Sequence, residues 1–170
     1  ASLARGEHER FVEEFYWYLL HSSGTHGFPE GIFYKRRFAW SNTIPHVTGA
    51  SNYALMLRHM LVHEQDNELH LLMAIPDWWL DKGNEIDVER APTHFGPMAL
   101  RIRGTARGVE VKLTAPRREP PHRIVLHLPE SRPLLNKLEG VDVVVRSNQG
   151  KRWDFPSIVG QYRSAQGPSK

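Results

Sequence analysis

The N-terminal third of the chain spaces its apolar residues three and four positions apart, which is the period of an α-helix. Between Glu7 and His21 two such stripes overlap and form a wide apolar face, so we expect this helix to pack on more than one side. The sequence Ser22-Ser23-Gly24 then predicts the end of the helix. The two stripes consist of Phe11, Phe15 and Tyr18, and of Val12, Tyr16 and Leu19.

A second helix is predicted from near Asn42 and Thr43 to about Val62. A capping side chain stands just before Pro45, and proline is tolerated in a first helical turn. Glycines and prolines between the two helices predict an irregular loop. The apolar positions of the second helix are Val47, Ala50, Tyr53, Ala54, Leu57, Met60 and Leu61.

After Asn67 the hydrophobic period changes to two, and glycine or proline separates most of the short alternating runs. Such runs are typical of β-strands, and six of them in succession favour an antiparallel β-sandwich. The sequence therefore predicts an α+β chain with a helical hairpin over residues 1–66, an antiparallel β-sandwich over 67–160 and a polar tail over 161–170. The runs lie at 69–73, 86–88, 98–102, 109–113, 124–128 and 141–145.

Two local features refine this picture of the β-rich part. Residues 101–109 predict a hairpin whose loop carries the glycines Gly104 and Gly108. Residues 76–80, with two adjacent tryptophans, predict a short helical turn between the first two strands.

Composition excludes several classes of protein. The 170 residues are 40% hydrophobic and 24% charged, which argues against intrinsic disorder. No apolar run approaches the roughly 20 residues of a membrane-spanning helix. The chain has no cysteine, so disulfides, thiol catalysis and cysteine metal sites are excluded. A formal net charge of +3 with scattered basic residues does not indicate a nucleic-acid partner.

Four segments together resemble the C-terminal end of bacterial six-hairpin glycosidase-like proteins. They are residues 57–64, residues 69–80 with the motif LHLL followed by Pro76 and Trp79-Leu80, residues 91–98, and residues 120–129. In that family an (α/α)6 toroid is followed by a β-sandwich. The resemblance covers about residues 8–130 and consists of structural spacing motifs rather than of a catalytic signature.

The resemblance implies that residues 1–66 are the last hairpin of a truncated toroid, with the β-sandwich as its support. The expected partners are then an upstream helical domain of the same protein and an oligo- or polysaccharide. The chain begins Ala1-Ser2-Leu3, without an initiator methionine, which agrees with a piece of a longer protein. We expect the isolated chain to be inactive because one hairpin cannot form the central cleft of a toroid.

The loop between the two helices contains the candidate catalytic group. Glycoside hydrolysis uses a pair of carboxylates, and Glu30 is the only acid between Glu14 and Glu64. In related (α/α)6 glycosidases the loop between the last two helices often carries the general base, so the resemblance implies this role for Glu30. The general acid is then expected upstream. The alternative is a structural role in which Glu30 caps a turn or pairs with Lys35 or Arg36.

Aromatic and histidine side chains in the same loop are candidates for contacts with a sugar, because flat rings cover the apolar face of a pyranose. For each of them, packing against the helices is the alternative role. The candidate substrate-binding residues are His26, Phe28, Tyr34, Trp40 and His46.

Other combinations of residues favour no further chemistry. His59 and His63 have the i, i+4 spacing of a metal-binding helix, but no third ligand is evident, so no metal and no cofactor is predicted. The pair Trp78-Trp79 favours packing over a sugar platform.

Three functions remain open at this stage. The first is the C-terminal part of a glycoside hydrolase. The second is a non-catalytic carbohydrate-binding or structural sandwich. The third is a polysaccharide lyase, for which Tyr34, His26, Arg36 and Asn42 would supply the chemistry; Glu30 favours hydrolysis. The cellular compartment stays open, with a secreted or periplasmic full-length protein among the possibilities.

Overall fold

The computed structural model describes residues 2–33, 35–36, 38–40 and 44–148. Within these residues the chain is α+β, with two α-helices and mostly antiparallel sheets. The described residues divide into two compact units, one up to Arg58 and the other from His59 onward. The polar tail predicted over 161–170 lies outside the described residues.

Helix α1 spans His8–Leu20, close to the predicted 7–21. Its end is fixed where the sequence predicts it, since the Ser22 hydroxyl donates to the Leu19 carbonyl at 2.8 Å. Tyr18 and Leu19 are half-buried. The fully buried stripe consists of Phe11, Val12, Phe15 and Tyr16.

Helix α2 spans Val47–Leu61. The predicted start was too early, because Ile44 and Pro45 precede the helix and are joined by a cis peptide bond. Asn42 and Thr43 lie outside the described residues. The apolar spacing of α2 does not translate into uniform burial, since the side chain of Val47 is 81% exposed.

The loop between the helices was predicted to be irregular but contains a small antiparallel hairpin. Strands β1, Ile32–Phe33, and β2, Phe38–Ala39, pair with each other. The opposed aromatic rings of Phe33 and Phe38 lie 4.9 Å apart.

The second unit begins with a hairpin that the sequence analysis assigned in part to α2. Strand β3 spans Val62–Gln65 and pairs antiparallel with β4, Glu68–Leu71. The turn between them is Asp66-Asn67, with Asp66 at a φ of 53°. The prediction of helix up to Val62 was therefore one residue too long, and the polar β3 was not predicted.

Three further strands form an antiparallel sheet in the order β5-β6-β7. They are β5, Glu85–Ala91, β6, Met98–Gly104, and β7, Val109–Thr114. The hairpin predicted over 101–109 is confirmed as the β6–β7 connection. The predicted helical turn is confirmed as a 3₁₀ turn at Asp77–Leu80.

The remaining sheet has the order β3-β4-β8-β9, where β8 is Arg123–Pro129 and β9 is Val143–Asn148. Here the antiparallel prediction fails for two strand pairs, because β4 with β8 and β8 with β9 are parallel. Alternation of apolar residues shows which face of a strand is buried but does not encode the direction of its neighbour.

Both sheets of the second unit contribute to one hydrophobic core. Alternate residues along the strands enter this core, as the period of two predicts. The fully buried members include Leu69 and Leu71 from β4, Leu100 and Ile102 from β6, Val109 and Val111 from β7, and Leu126 and Leu128 from β8.

Candidate functional site

Glu30 and His46, both predicted as site residues, lie next to each other in the first unit. Glu30 Oε2 is 4.0 Å from His46 Nε2, which is ion-pair range rather than a hydrogen bond. The side chain of Glu30 is 44% exposed and that of His46 27%. Glu30 is therefore open to solvent on one side and faces an imidazole on the other.

The start of α2 orients the ring of His46. Its Nδ1 accepts a hydrogen bond from the Gly49 N–H at 3.3 Å, so the side chain caps the first turn of the helix. Its own backbone N–H donates to the Phe28 carbonyl at 2.8 Å. Because Nδ1 accepts, the neutral ring carries its hydrogen on Nε2, the nitrogen that faces Glu30. The arrangement thus places an N–H donor near a partly exposed carboxylate, without a direct hydrogen bond between them.

Phe28, whose carbonyl bonds to the His46 N–H, belongs to an aromatic cluster. Its ring stacks on Tyr53, with centroids 4.4 Å apart, and on Tyr18, at 5.3 Å. Burial raises the pKa of both tyrosines above the ordinary phenol value. With 5% of its surface exposed, Phe28 has the packing role, one of the two roles that the sequence left open.

The other predicted loop residues that the structure describes are mostly exposed. Trp40 is 52% exposed, and its backbone N–H donates to the Gly31 carbonyl at 2.8 Å. His26 is exposed on a turn, with a φ of 57°. Arg36 is also exposed. Tyr34 and Asn42 lie outside the described residues.

A cavity of about 270 Å³ lies between α1 and the loop segment that contains Glu30. Two of its lining residues, Pro29 and Gly31, flank Glu30 in sequence. Aromatic rings of α1 form the other wall, where Trp17 and His21 stack with centroids 5.6 Å apart. The lining residues are Glu14, Trp17, Tyr18, His21, Pro29, Gly31 and Ile32.

The carboxylate that lines this cavity is that of Glu14, whereas Glu30 is not among the lining residues. Glu14 accepts hydrogen bonds from the Ser2 hydroxyl at 2.5 Å and from Arg10 Nε at 3.1 Å. The sequence analysis missed Glu14 and Trp17 as site residues. Their signal was present, because positions 14, 17, 18 and 21 share one helical face on which aromatic rings accompany a carboxylate.

The histidines of the second unit form contacts that the sequence did not predict. His70 Nδ1 lies 2.9 Å from His127 Nε2, and both rings are buried. His70 Nε2 is 3.3 Å from Glu68 Oε2, and Glu68 Oε1 is 3.5 Å from Arg123 Nη1. The network joins β4 to β8 and provides partners for two buried imidazoles.

The candidate metal pair His59 and His63 has its Nδ1 atoms 3.1 Å apart. In the part of the chain that the structure describes, no group of three or more histidine, aspartate or glutamate side chains could hold a metal ion. Trp78 and Trp79 are half-buried in the 3₁₀ turn, with their rings in an edge-to-face contact at 6.1 Å.

Comparison with models of known protein families, with curated proteins and with solved structures finds no match. The resemblance to six-hairpin glycosidase-like proteins therefore stays a prediction. Neither described helix has the length and apolar character needed to cross a membrane.

Proposed function

We propose that the chain is the C-terminal part of a carbohydrate-active enzyme, a glycoside hydrolase, in which Glu30 is the general base. The observation that carries this proposal is the pairing of Glu30 with His46 beside the aromatic-walled cavity. A base must have an accessible carboxylate, and Glu30, which is partly exposed and has Nε2 of His46 at 4.0 Å, meets this requirement.

The cavity supports a carbohydrate as the ligand. Its lining combines the rings of Trp17, Tyr18 and His21 with the carboxylate of Glu14. Pyranose rings present an apolar face that stacks on aromatic side chains, while their hydroxyl groups need hydrogen-bond acceptors. Ligand sites in general join apolar walls with a few placed polar groups in this way.

The individual roles follow from position. Glu30 takes the proton from the attacking water, and Nε2 of His46 lies 4.0 Å from its carboxylate. Trp40, with its half-exposed ring, is available as a further sugar contact. The general acid comes from the upstream helices, because hydrolysis needs a second, protonated carboxylic acid.

The unit from His59 onward acts as the support of the helical part in this proposal. Its two sheets share a hydrophobic core, which is compatible with a β-sandwich. A secreted or periplasmic location of the full-length protein belongs to the same proposal, since polysaccharides are met outside the cytoplasm.

Binding can be tested on the 170-residue chain itself. We would titrate the chain with cello-, xylo-, malto- and chito-oligosaccharides and follow the indole signal of Trp17 by ¹⁵N NMR. At least one series should shift Trp17, while Trp79, in the 3₁₀ turn of the second unit, provides the reference signal. No turnover is expected from this chain, and measurable hydrolysis would contradict its assignment as one part of a toroid.

The catalytic role requires the protein with its upstream helices. There, Glu30→Gln should lower turnover by about 10²- to 10⁴-fold, the usual contribution of a general base, and leave oligosaccharide binding intact. The matched control is Glu110→Gln, an exposed carboxylate on β7. If Glu30→Gln keeps near wild-type turnover, Glu30 is not the base. Binding without any hydrolysis by the wild-type protein would identify a non-catalytic carbohydrate module instead.

A further inference from the structure

We propose that a cleft at the end of β7 binds an extended peptide, which adds to the β5-β6-β7 sheet as a further strand. The site lies in the second unit and is independent of the proposed hydrolase function. Its carrying observation is the outer edge of β7, where other described residues bond to Val109 and Val111 and no described residue bonds to Leu113.

The covered positions of the β7 edge, Val109 and Val111, show what the edge can bind. The Val109 N–H donates to the Pro133 carbonyl at 2.9 Å, and the Leu135 N–H donates to the Val109 carbonyl at 2.9 Å. At Val111 the side-chain amide of Asn136 replaces a strand: its Oδ1 accepts from the Val111 N–H and its Nδ2 donates to the Val111 carbonyl, both at 2.8 Å.

The open position is Leu113, two residues after Val111 on the same strand. In an antiparallel pair, backbone groups point to the same edge at every second residue, so Leu113 presents its N–H and C=O on the edge that Val109 and Val111 use. Among the described residues, neither group of Leu113 has a hydrogen-bond partner. Strand β7 ends at Thr114, one residue after Leu113. Open edges of this kind are templates for an added strand.

The open edge faces a cleft of suitable size. Leu113, Thr114 and Ala115 line a cleft of about 690 Å³, which is within the range of ordinary ligand sites. One wall is the segment from Arg117 to Arg123, and the other is the segment from Glu139 to Asp142.

Both walls are held in place without a ligand. On the first wall, the Glu119 N–H donates to the Phe95 carbonyl at 3.2 Å and the His122 N–H to the Asn67 carbonyl at 2.8 Å. Three prolines in the same segment, at positions 116, 120 and 121, restrict the backbone further. On the second wall, Leu138 and Val141 pack against the hydrophobic core. A prearranged cleft reduces the entropy lost on binding.

The charges of the walls define the ligand. Arg117 and Arg123 lie on one wall, and Glu139 and Asp142 lie on the other. Arg123 is 3.5 Å from Glu68, whereas the other three are exposed and form no ion pair within the described residues. An extended peptide with an acidic residue at one end and a basic residue at the other complements this distribution. The cleft lining contains no phenylalanine, tyrosine or tryptophan, which favours a peptide over a stacked sugar.

The test uses the 170-residue chain and two fluorescein-labelled hexapeptides, acetyl-Glu-Val-Thr-Val-Thr-Lys-amide and its charge-reversed form with Lys first and Glu last. Each is also made in two N-methylated versions, one for each edge of the strand. We expect one parent peptide to bind, and one of its methylated versions to bind about tenfold or more weakly while the other binds normally. Methylation blocks the backbone donors of one edge only, so this asymmetry is specific to strand addition.

Two further measurements locate the peptide. Hydrogen exchange of the Leu113 amide, followed by NMR, should slow by about tenfold or more at saturation. Arg117→Glu should weaken binding, whereas Arg107→Glu, an exposed arginine in the β6–β7 loop, is the matched control and should leave it unchanged.

The proposal is overturned by any one of four outcomes. The first is that neither parent peptide binds at millimolar concentration. The second is that methylation of the two edges has the same effect. The third is that a bound peptide leaves exchange at Leu113 unchanged, since binding then occurs elsewhere. Binding of an oligosaccharide at this cleft, with no peptide binding, would likewise reject it.

Discussion

Gly49 connects the start of α2 to the loop that carries Glu30, and its replacement by alanine tests this part of the candidate site. A Cβ at position 49 would lie 2.5 Å from the Pro29 carbonyl oxygen and 3.1 Å from the Tyr18 hydroxyl. The Gly49 carbonyl also accepts a hydrogen bond from that hydroxyl at 2.9 Å. A Cβ–O distance of 2.5 Å with a backbone atom cannot be relieved by a side-chain rotation, so the loop at Pro29 has to move.

Two effects of opposite sign decide the stability of Gly49→Ala. In a helix, alanine is favoured over glycine by about 0.8–1.0 kcal/mol. Against this, forcing a methyl group into a packed site costs about 1–3 kcal/mol. Loss of the Tyr18 hydrogen bond costs about 1 kcal/mol more. We therefore expect a net decrease of about 1–3 kcal/mol in the free energy of unfolding.

The measurement is thermal and urea unfolding followed by circular dichroism, with NMR signals of the α2 amides as a local probe. For a chain of this size, the expected loss corresponds to a decrease in Tm of about 2–12 °C. Gly24→Ala is the matched control, because a Cβ there meets no atom within 4 Å. If Gly49→Ala is as stable as Gly24→Ala or more so, helix propensity dominates and the close approach of Pro29 to α2 is refuted.

Three other changes test the fold and its pH dependence. Gly104→Ala should destabilise the second unit by about 1–3 kcal/mol or more in urea unfolding, because its Cβ would overlap the Asp81 carbonyl; unchanged stability would contradict that contact. Burial raises the pKa of Tyr53, so stability should decrease as the pH rises above about 10, where the unfolded chain ionises first. Tyr53→Phe should reduce this decrease between about pH 8 and 11, and an identical profile would argue against it. Burial lowers the pKa of His8, so stability should decrease as the pH falls below about 6.5, and His8→Gln should flatten the profile between about pH 7 and 5.

The sequence correctly predicted those helices and turns that are determined by interactions between residues close together in the chain. Helix α1 has an amphipathic stripe and a serine at its end, and both the stripe and the serine bond to Leu19 are present. Strand β3 was hidden because its residues after Val62 are polar and continue directly from α2. Its strand conformation depends on pairing with β4, which no local pattern encodes.

In the candidate site too, local sequence predicted some features, while others depend on contacts between separate segments. The sequence placed Glu30 and His46 in one loop, but their proximity depends on His46 capping α2 through Gly49. That cap could not be predicted, since histidine is not among the preferred N-cap residues. Trp17 was not predicted as a site residue because the candidate site was placed in the loop alone, and not on the face of α1 next to that loop.

Strand β8 shows that part of the missing information was in the sequence. Its residues 124–128 are buried on both faces of the sheet, and four of the five are apolar. A near-continuous apolar run is typical of a parallel strand, because parallel sheets are covered on both sides, whereas strict alternation is typical of an antiparallel strand with one solvated face. Ile124, Leu126 and Leu128 alternate and so favoured an antiparallel strand. The apolar Val125 between them breaks this alternation and indicates a strand buried on both faces. His127 is the exception in the run, and its hydrogen bond to His70 on the parallel neighbour β4 allows its burial. The direction of β8 and the burial of its histidine therefore follow from the same pairing.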